Sequence, residues 1–301
     1  MVAERPYTLL SCGMSIDGYL DDASDKRLLL SNDADFDRVD EVRAGCDAIL
    51  VGASTIRQDN PRLLVRSAER RAARIARGED PNPVKVTVTS TCHIDPQASF
   101  FTAGDARKLV YCATPALAQA RALFGGPGGG AAGRDACASV SGSATASASA
   151  TASASGSAPA AVSDPASPAA AASPAAFSAA VAASPAASGG GLARGGLTTV
   201  VDGGDPVDVR RIVDDLGERG IRRLMVEGGG RMHTQFLTAG LADELQLVIA
   251  PFFVGDSRAP RFVHDGAFPW GPDNRAGLAE VRQIGDVVLL RYALSDRFDK
   301  Q

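Results

Sequence analysis

The stretch RRLMVEGGGRMHTQFL, Arg222 to Leu237, decides how this chain is read. Leu224, Met225 and Val226 form a short apolar run with the character of a buried strand, Gly228, Gly229 and Gly230 follow, and a helical pattern begins at once. A strand that turns through glycines into a helix leaves the first helical N–H groups unpaired and aims the positive dipole end at the turn. That layout makes an anion site, with phosphate or pyrophosphate as its natural guest. The run is not a G-x-G-x-x-G fingerprint, so taken alone it also fits a plain glycine-rich turn.

Outward from this stretch, strand-like and helix-like segments alternate. Tyr7 to Met14 reads as a first strand that ends in the turn Ser15 to Gly18. A helix is expected from about Asn32 to Ala44, capped by Ser31 or Asn32, with Phe36, Val39 and Val42 on one face and Gly45 ending it in a left-handed conformation. Asp47 to Gly52, Val84 to Ser90 and Lys108 to Ala113 are further strands, and Pro115 opens the helix after them. Beyond residue 196 come the strand Thr198 to Asp202, a helix with Val209, Ile212, Val213 and Leu216 inward, the glycine strand, and a long strand from Asp243 that breaks at Pro251. A hairpin around Gly285 and Asp286 closes the chain. Helices between strands imply an α/β fold with a mostly parallel central sheet flanked by helices, the C-terminal hairpin adding an antiparallel edge.

Residues 125–196 are almost all Ala, Ser, Gly and Pro, and between Ser139 and Gly191 only Asp164 is charged. Such a stretch cannot offset the entropy of ordering its backbone, so it is expected to be a disordered insertion. It falls where a helix-to-strand connection usually takes about two to six residues, and so interrupts one domain, formed by 1–124 and 197–301. The net charge of −4 argues against a nucleic-acid partner, and the arginine-rich run Arg66 to Asp80 reads as a solvated helix face. Five scattered cysteines without C-x-x-C spacing fit reduced thiols in a cytoplasmic protein. Three histidines, none spaced with another or with a cysteine for ligation, give no reason to expect a metal. No apolar run reaches the length of a signal peptide core or a membrane span.

A second cluster, GASTIRQDNPRLLVR from Gly52 to Arg66, follows the Asp47 to Gly52 strand and reads as a loop. Ligands of α/β sheets bind outside the carboxyl ends of strands, so this loop and the glycine turn are expected to converge on one cleft. Thr55, Asp59 and Asn60 offer short hydrogen-bonding groups, and Arg66 suits a bidentate phosphate clamp, although by itself it also reads as a solvated arginine.

Taken in order, S-x-D-G at Ser15, D-A-I-L-V-G-x-x-T-x-x-x-D-N-P-x-L-x-V-R from Asp47 to Arg66, V-E-G-G-G at Val226, A-G-L-A-D-E-L at Ala239 and A-P at Ala250 resemble the reductase domain of bacterial riboflavin-biosynthesis deaminase/reductase proteins. The resemblance covers Tyr7 to Leu123 and Leu197 to Leu294. It implies a dihydrofolate-reductase-like three-layer fold, NADPH as cofactor, and a homodimer that reduces the ribosyl group of 5-amino-6-(5-phosphoribosylamino)uracil to a ribityl chain. It assigns Gly13, Thr55, Asp59, Leu63, Ser90 and the turn and helix start from Gly228, Gly229, Gly230, Arg231 and Met232 to Gln235 to the cofactor, and ties no particular arginine to the 2′-phosphate. Arg43, Arg66 and Glu227 fall to the substrate, and Glu227 and Asp59 are the carboxylates to test as catalytic groups. Two positions depart from the family pattern: Ser11 stands where many members have lysine, and Leu29 lies in a segment where many have tryptophan. The zinc deaminase signature is absent. A dihydrofolate or pterin reductase of the same fold, and a nucleotide-binding scaffold without turnover, stay open as alternatives.

Overall fold

The computed structural model describes residues 4–24, 28–124 and 197–300, so the expected insertion at 125–196 lies outside the described residues. The strands are β1 (Tyr7–Ser15), β2 (Ala48–Gly52), β3 (Val84–Thr89), β4 (Lys108–Cys112), β5 (Thr198–Asp202), β6 (Arg223–Gly228), β7 (Glu244–Ala250), β8 (Gly277–Ile284) and β9 (Val287–Ala293). They form one sheet in the order β5-β4-β3-β2-β6-β1-β7-β9-β8. All pairs from β5 to β7 are parallel, and β9 runs antiparallel to β7 and β8, as the terminal hairpin requires. The helices are α1 (Asp33–Ala44), α2 (Ala53–Asp59), α3 (Ala68–Ala76), α4 (Ser99–Thr102), α5 (Leu117–Phe124), α6 (Val209–Glu218) and α7 (Gly230–Thr238).

Parallel neighbours need crossovers, and those crossovers cover both faces of the sheet, which is why β2, β3 and β4 are buried at every position. On one face Leu10, Leu50, Val86 and Val226 pack under Ile212, Val213 and Leu216 of α6 and Phe236 of α7. On the other, Leu9, Ile49, Val51 and Met225 meet Ile56 of α2 and Phe100 of α4, with Val39 and Val42 of α1 alongside. This is the expected three-layer arrangement. Solid packing on both faces leaves the strand ends as the place for a ligand, and β1, β6 and β2 stand side by side there.

The chain's first and last described segments are tied together at one carboxylate. Asp243, fully buried, accepts from both terminal nitrogens of Arg5 (2.9 and 2.7 Å), from Arg297 (3.0 Å), from the Ser295 hydroxyl (2.6 Å) and from the Thr8 N–H (2.9 Å).

Three readings need correction. Gly45 has φ −90°, not a left-handed conformation, because the carbonyls at the end of α1 find other donors: the Gly45 N–H bonds Glu41 and Val42, and Arg74 and Arg77 reach the Ala44 carbonyl. The Arg66 to Asp80 run is accordingly no solvated face throughout. Arg74 is buried and also bonds the Cys46 and Asp80 carbonyls. The segment read as a loop from Gly52 starts as helix α2, directly at the end of β2, and the short α4 had no counterpart in the sequence reading.

Candidate functional site

The ends of β1, β6 and β2 open into a cleft of about 1220 Å³. Its floor is the glycine turn. Gly229 has φ +86°, the left-handed region that favours glycine, while a Cβ at Gly228 would lie 2.9 Å from Thr55 Oγ1 and one at Gly230 only 2.2 Å from the Arg261 carbonyl oxygen. One glycine is needed for backbone conformation and two for space. Helix α7 begins there with no side-chain cap and no acidic residue in its first turn, so its leading N–H groups are open to an anion. His264 Nε2 stands 3.2 Å from where a Gly230 Cβ would be, closing the turn from the other side.

His233, on the inner side of α7, is fully buried and packs its ring against Phe262 with centroids 5.3 Å apart. Burial pushes its imidazole down to about 4, with only a small upward pull from the backbone of Phe262 and Val226, and neither ring nitrogen makes a hydrogen bond of normal geometry. At pH 7 it is a neutral wall of the cleft.

The far wall is α1 and the segment after α2. Arg43 holds Glu227 with both arms of its guanidinium, Nε to Oε1 at 2.6 Å and Nη2 to Oε2 at 2.5 Å. Burial alone would lower the Arg43 pKa, but the Glu227 carboxylate more than offsets this and the net shift is upward. Both Glu227 oxygens act as acceptors, so the pair forms a prebuilt polar surface at the end of β6. Asp40 fixes the segment that carries Arg66: it accepts from the N–H groups of Arg66 (2.5 Å) and Ser67 (3.1 Å) and from Arg70 (3.0 Å). Burial would raise the Asp40 carboxyl, yet those donors hold it below the usual carboxylate range. Arg66 itself reaches the Phe36 carbonyl at 2.5 Å and lies over the Phe36 ring. Leu63, in the left-handed region at φ 47°, plugs its side chain into the core and pins the same segment.

Gly13, Thr55, Asp59, Leu63, Gly228, Gly229, Gly230, Arg231, Arg43, Arg66 and Glu227 thus all line one cleft, as does the departing residue Leu29. Ser90, Met232, Thr234 and Gln235, though expected there, do not. Ser90 is exposed outside the lining, and Met232 is buried in the core, where its side chain lies 3.3 Å from a Cβ built at Gly52. The reading from sequence missed Asp35, Arg38, Asp40 and His264, while His233 fell within the helix start already assigned to the cofactor. Asp35 and Arg38 carried a local signal, an i,i+3 pair on α1. Asp40 carried none, since its partners lie 26 to 30 residues away. Seven arginines and four carboxylates line the cleft of a chain whose net charge is −4. Positive charge is therefore concentrated where the strands end. Among the described residues no cluster of His, Cys, Asp and Glu is arranged to hold a metal ion, and no helix is long and apolar enough to cross a membrane.

An α/β sheet with a glycine turn and gathered arginines at its strand ends is the layout of a protein that binds a phosphorylated ligand there. The chain belongs to the RibD C-terminal domain family, whose model matches residues 6–123 and 185–290. It is 27% identical over 296 residues, 98% of this chain and 100% of the relative, to a 2,5-diamino-6-ribosylamino-4(3H)-pyrimidinone 5′-phosphate reductase of Archaeoglobus fulgidus. Among solved structures, a pyrimidine reductase-like protein from Corynebacterium diphtheriae superimposes with a TM-score of 0.60 at 17% identity, covering 96% of this chain and 91% of that one. A diaminohydroxyphosphoribosylaminopyrimidine deaminase/5-amino-6-(5-phosphoribosylamino)uracil reductase from Thermotoga maritima gives 0.57 at 18% identity, covering 96% of this chain and 56% of that one. This chain spans little more than half the length of that two-activity protein.

Proposed function

We propose that this chain is an NADPH-dependent reductase acting on the ribosyl group of a 5-phosphoribosylaminopyrimidine in riboflavin biosynthesis. One observation carries the reading: the open helix end at Gly228 to Gly230 and the Arg43–Glu227 pair face the same cleft, so a dinucleotide phosphate and a sugar phosphate can be held side by side. The donor set fits the cofactor, because α7 starts at the glycine turn with no side-chain cap and no acidic residue in its first turn, and Thr55 and Arg231 line the same cleft. When bound, NADPH supplies the hydride for C1′ of the ring-opened ribosylamino group.

The protein's own part is orientation. Arg43 and Arg66 suit the 5-phosphate, Glu227 suits sugar hydroxyls, and Glu227 and Asp59 are the carboxylates to examine as proton donors. The Archaeoglobus relative matches along its whole length, which supports the 2,5-diamino-4(3H)-pyrimidinone as substrate in place of the uracil. The single-domain assignment is part of the same reading. Leu123 and Phe124 of α5 and Val200 of β5 pack into one cluster, so the two described flanks of the 125–196 segment are neighbours. A homodimer is supported by the hairpin, where Leu278 (57% exposed), Val281 (60%) and Val288 (37%) share a sheet face with Leu290 and Tyr292. Four free cysteines among the described residues accord with a reducing cytoplasm.

The test is NADPH oxidation by the purified chain with the diaminopyrimidinone phosphate, the uracil phosphate and dihydrofolate in parallel. Turnover on a phosphoribosylaminopyrimidine, faster on the diamino form, is expected. Turnover on dihydrofolate alone, or cofactor binding with no turnover on any of the three, overturns the reading.

A further inference from the structure

On the α1 side of the sheet, three polar residues lie in a row across three neighbouring strands. Ser11 of β1 pairs in register with Gln246 of β7, and on the other side of β1 the ladder with β6 ends at the Leu10–Val226 pair, followed by Glu227, where the register of β6 shifts. A guanidinium from α1 sits at each end of the row: Arg43 on Glu227, and Arg38 on Gln246.

Arg38 is held rigidly. Its Nε donates to Asp35 Oδ1 at 2.6 Å and its Nη1 to Gln246 Oε1 at 2.6 Å. Asp35 is steadied in turn by the Ser31 hydroxyl and by its own N–H on Asn32, and Gln246 by donating to Glu244 at 2.8 Å, so neither acceptor is free to follow another partner. The Arg38 side chain is only 10% exposed, and it lines the cleft. Its remaining Nη2 has no protein partner among the described residues, and neither has the Ser11 hydroxyl, which lines the same cleft. A nearly buried guanidinium whose two other nitrogens are fixed by acceptors presents its third as a preorganised donor.

We propose that Arg38 Nη2 and Ser11 Oγ together receive an acceptor oxygen of the substrate, which makes Arg38 a substrate-contacting residue that sets the position of the pyrimidine–sugar unit between α1 and the row. The inference rests on the reductase reading above. The oxygen belongs either to the heterocycle's carbonyl or to a sugar hydroxyl, and one donor pair serves both.

The experiment compares wild type with Arg38→Gln, Arg38→Lys and Ser11→Ala in the full chain. It measures KM and kcat for the diaminopyrimidinone phosphate, Kd for NADPH, thermal stability, and calorimetric binding of the pyrimidine and of ribose 5-phosphate. Loss of a charge-assisted hydrogen bond predicts a KM raised about tenfold or more in Arg38→Gln, partly restored in Arg38→Lys, and about threefold in Ser11→Ala, with NADPH affinity within about twofold. Ribose 5-phosphate binding weakened in parallel places the oxygen on the sugar, and binding left intact places it on the heterocycle. A lowered melting temperature with unchanged KM overturns the proposal, because it makes Arg38 only a strut between Asp35 and Gln246. If Arg38→Gln fails to fold, an unchanged KM in Ser11→Ala overturns it. Should wild type bind the pyrimidine without reducing it, the reductase reading falls, and the calorimetric difference still decides the role of Arg38. No binding by wild type removes both.

Discussion

Helices α1 and α7 serve the same cleft in opposite ways. Helix α1 has a closed beginning: the Asn32 side chain accepts the Asp35 N–H, and Asp33 and Asp35 occupy the first turn, so its N-terminus has nothing left for an anion. It contributes sideways, through Arg38 and Arg43. Helix α7 has an open beginning at Gly229 and contributes end-on, through backbone N–H groups. A site made of backbone depends on what is absent, namely Cβ atoms and a cap, whereas a site made of side chains depends on partners brought from elsewhere in the chain.

The contrast can be broken most forcefully at the side-on helix. Arg43→Ala leaves the nearly buried Glu227 without its partner, and kcat/KM for the pyrimidine should fall by about a thousandfold, the equivalent of about 4 kcal/mol, while NADPH titration changes little. An equal loss of cofactor affinity would show that the two helices do not serve separate ligands. The next effect concerns α7. The His233 imidazole, held near 4 in the fold against an ordinary 6.5, takes up its proton first in the unfolded chain. Its contribution to stability is complete above about pH 6.5 and is lost as the pH falls toward 4, about 3 kcal/mol in all. Denaturant unfolding of wild type and His233→Leu across that window measures the difference, and parallel curves would refute it.

Gly230→Ala puts a methyl group against the Arg261 carbonyl at the open end. NADPH affinity should drop about a hundredfold by fluorescence titration, with ribose 5-phosphate binding retained. The smallest effect belongs to the closed end: Asn32→Ala removes a cap and bonds to the Ile284 carbonyl and Asp286, and should cost about 1 to 2 kcal/mol of stability with the NADPH Kd within about twofold. A cofactor defect in that variant would mean that the cap also shapes the cleft.

The same contrast explains what could be read in advance. The glycine turn is legible because all its requirements lie within a few consecutive residues: an apolar run, three glycines, a helical pattern. The mostly parallel sheet with an antiparallel end follows from alternation and from the hairpin at Gly285, whereas the order of its strands, set by long crossovers, does not. The Arg43–Glu227 pair is 184 residues apart in sequence, so the residues alone could place each at a strand or helix end but not against the other. Family resemblance supplied their shared assignment. Arg74 and Lys85 show the opposite failure. Both look like surface charges, yet Arg74 is spent on the carbonyls that end α1, and Lys85 on the carbonyls of Phe100 and Ala103, whose positions depend on elements distant in the chain. Met232 has the right place in the motif, but the helix turns its side chain inward.

The carboxylate of Asp243, which gathers Arg5, Thr8, Ser295 and Arg297, has a consequence for topology. With the first and last described segments meeting at one atom pair, the polypeptide is close to a ring with a single seam. The seam can be moved. A short linker joining the ends there, with new termini opened between Phe124 and Leu197, would leave every strand beside its present neighbours and turn the interrupted chain into a circular permutant with the β1–β7 and β4–β5 pairings unchanged.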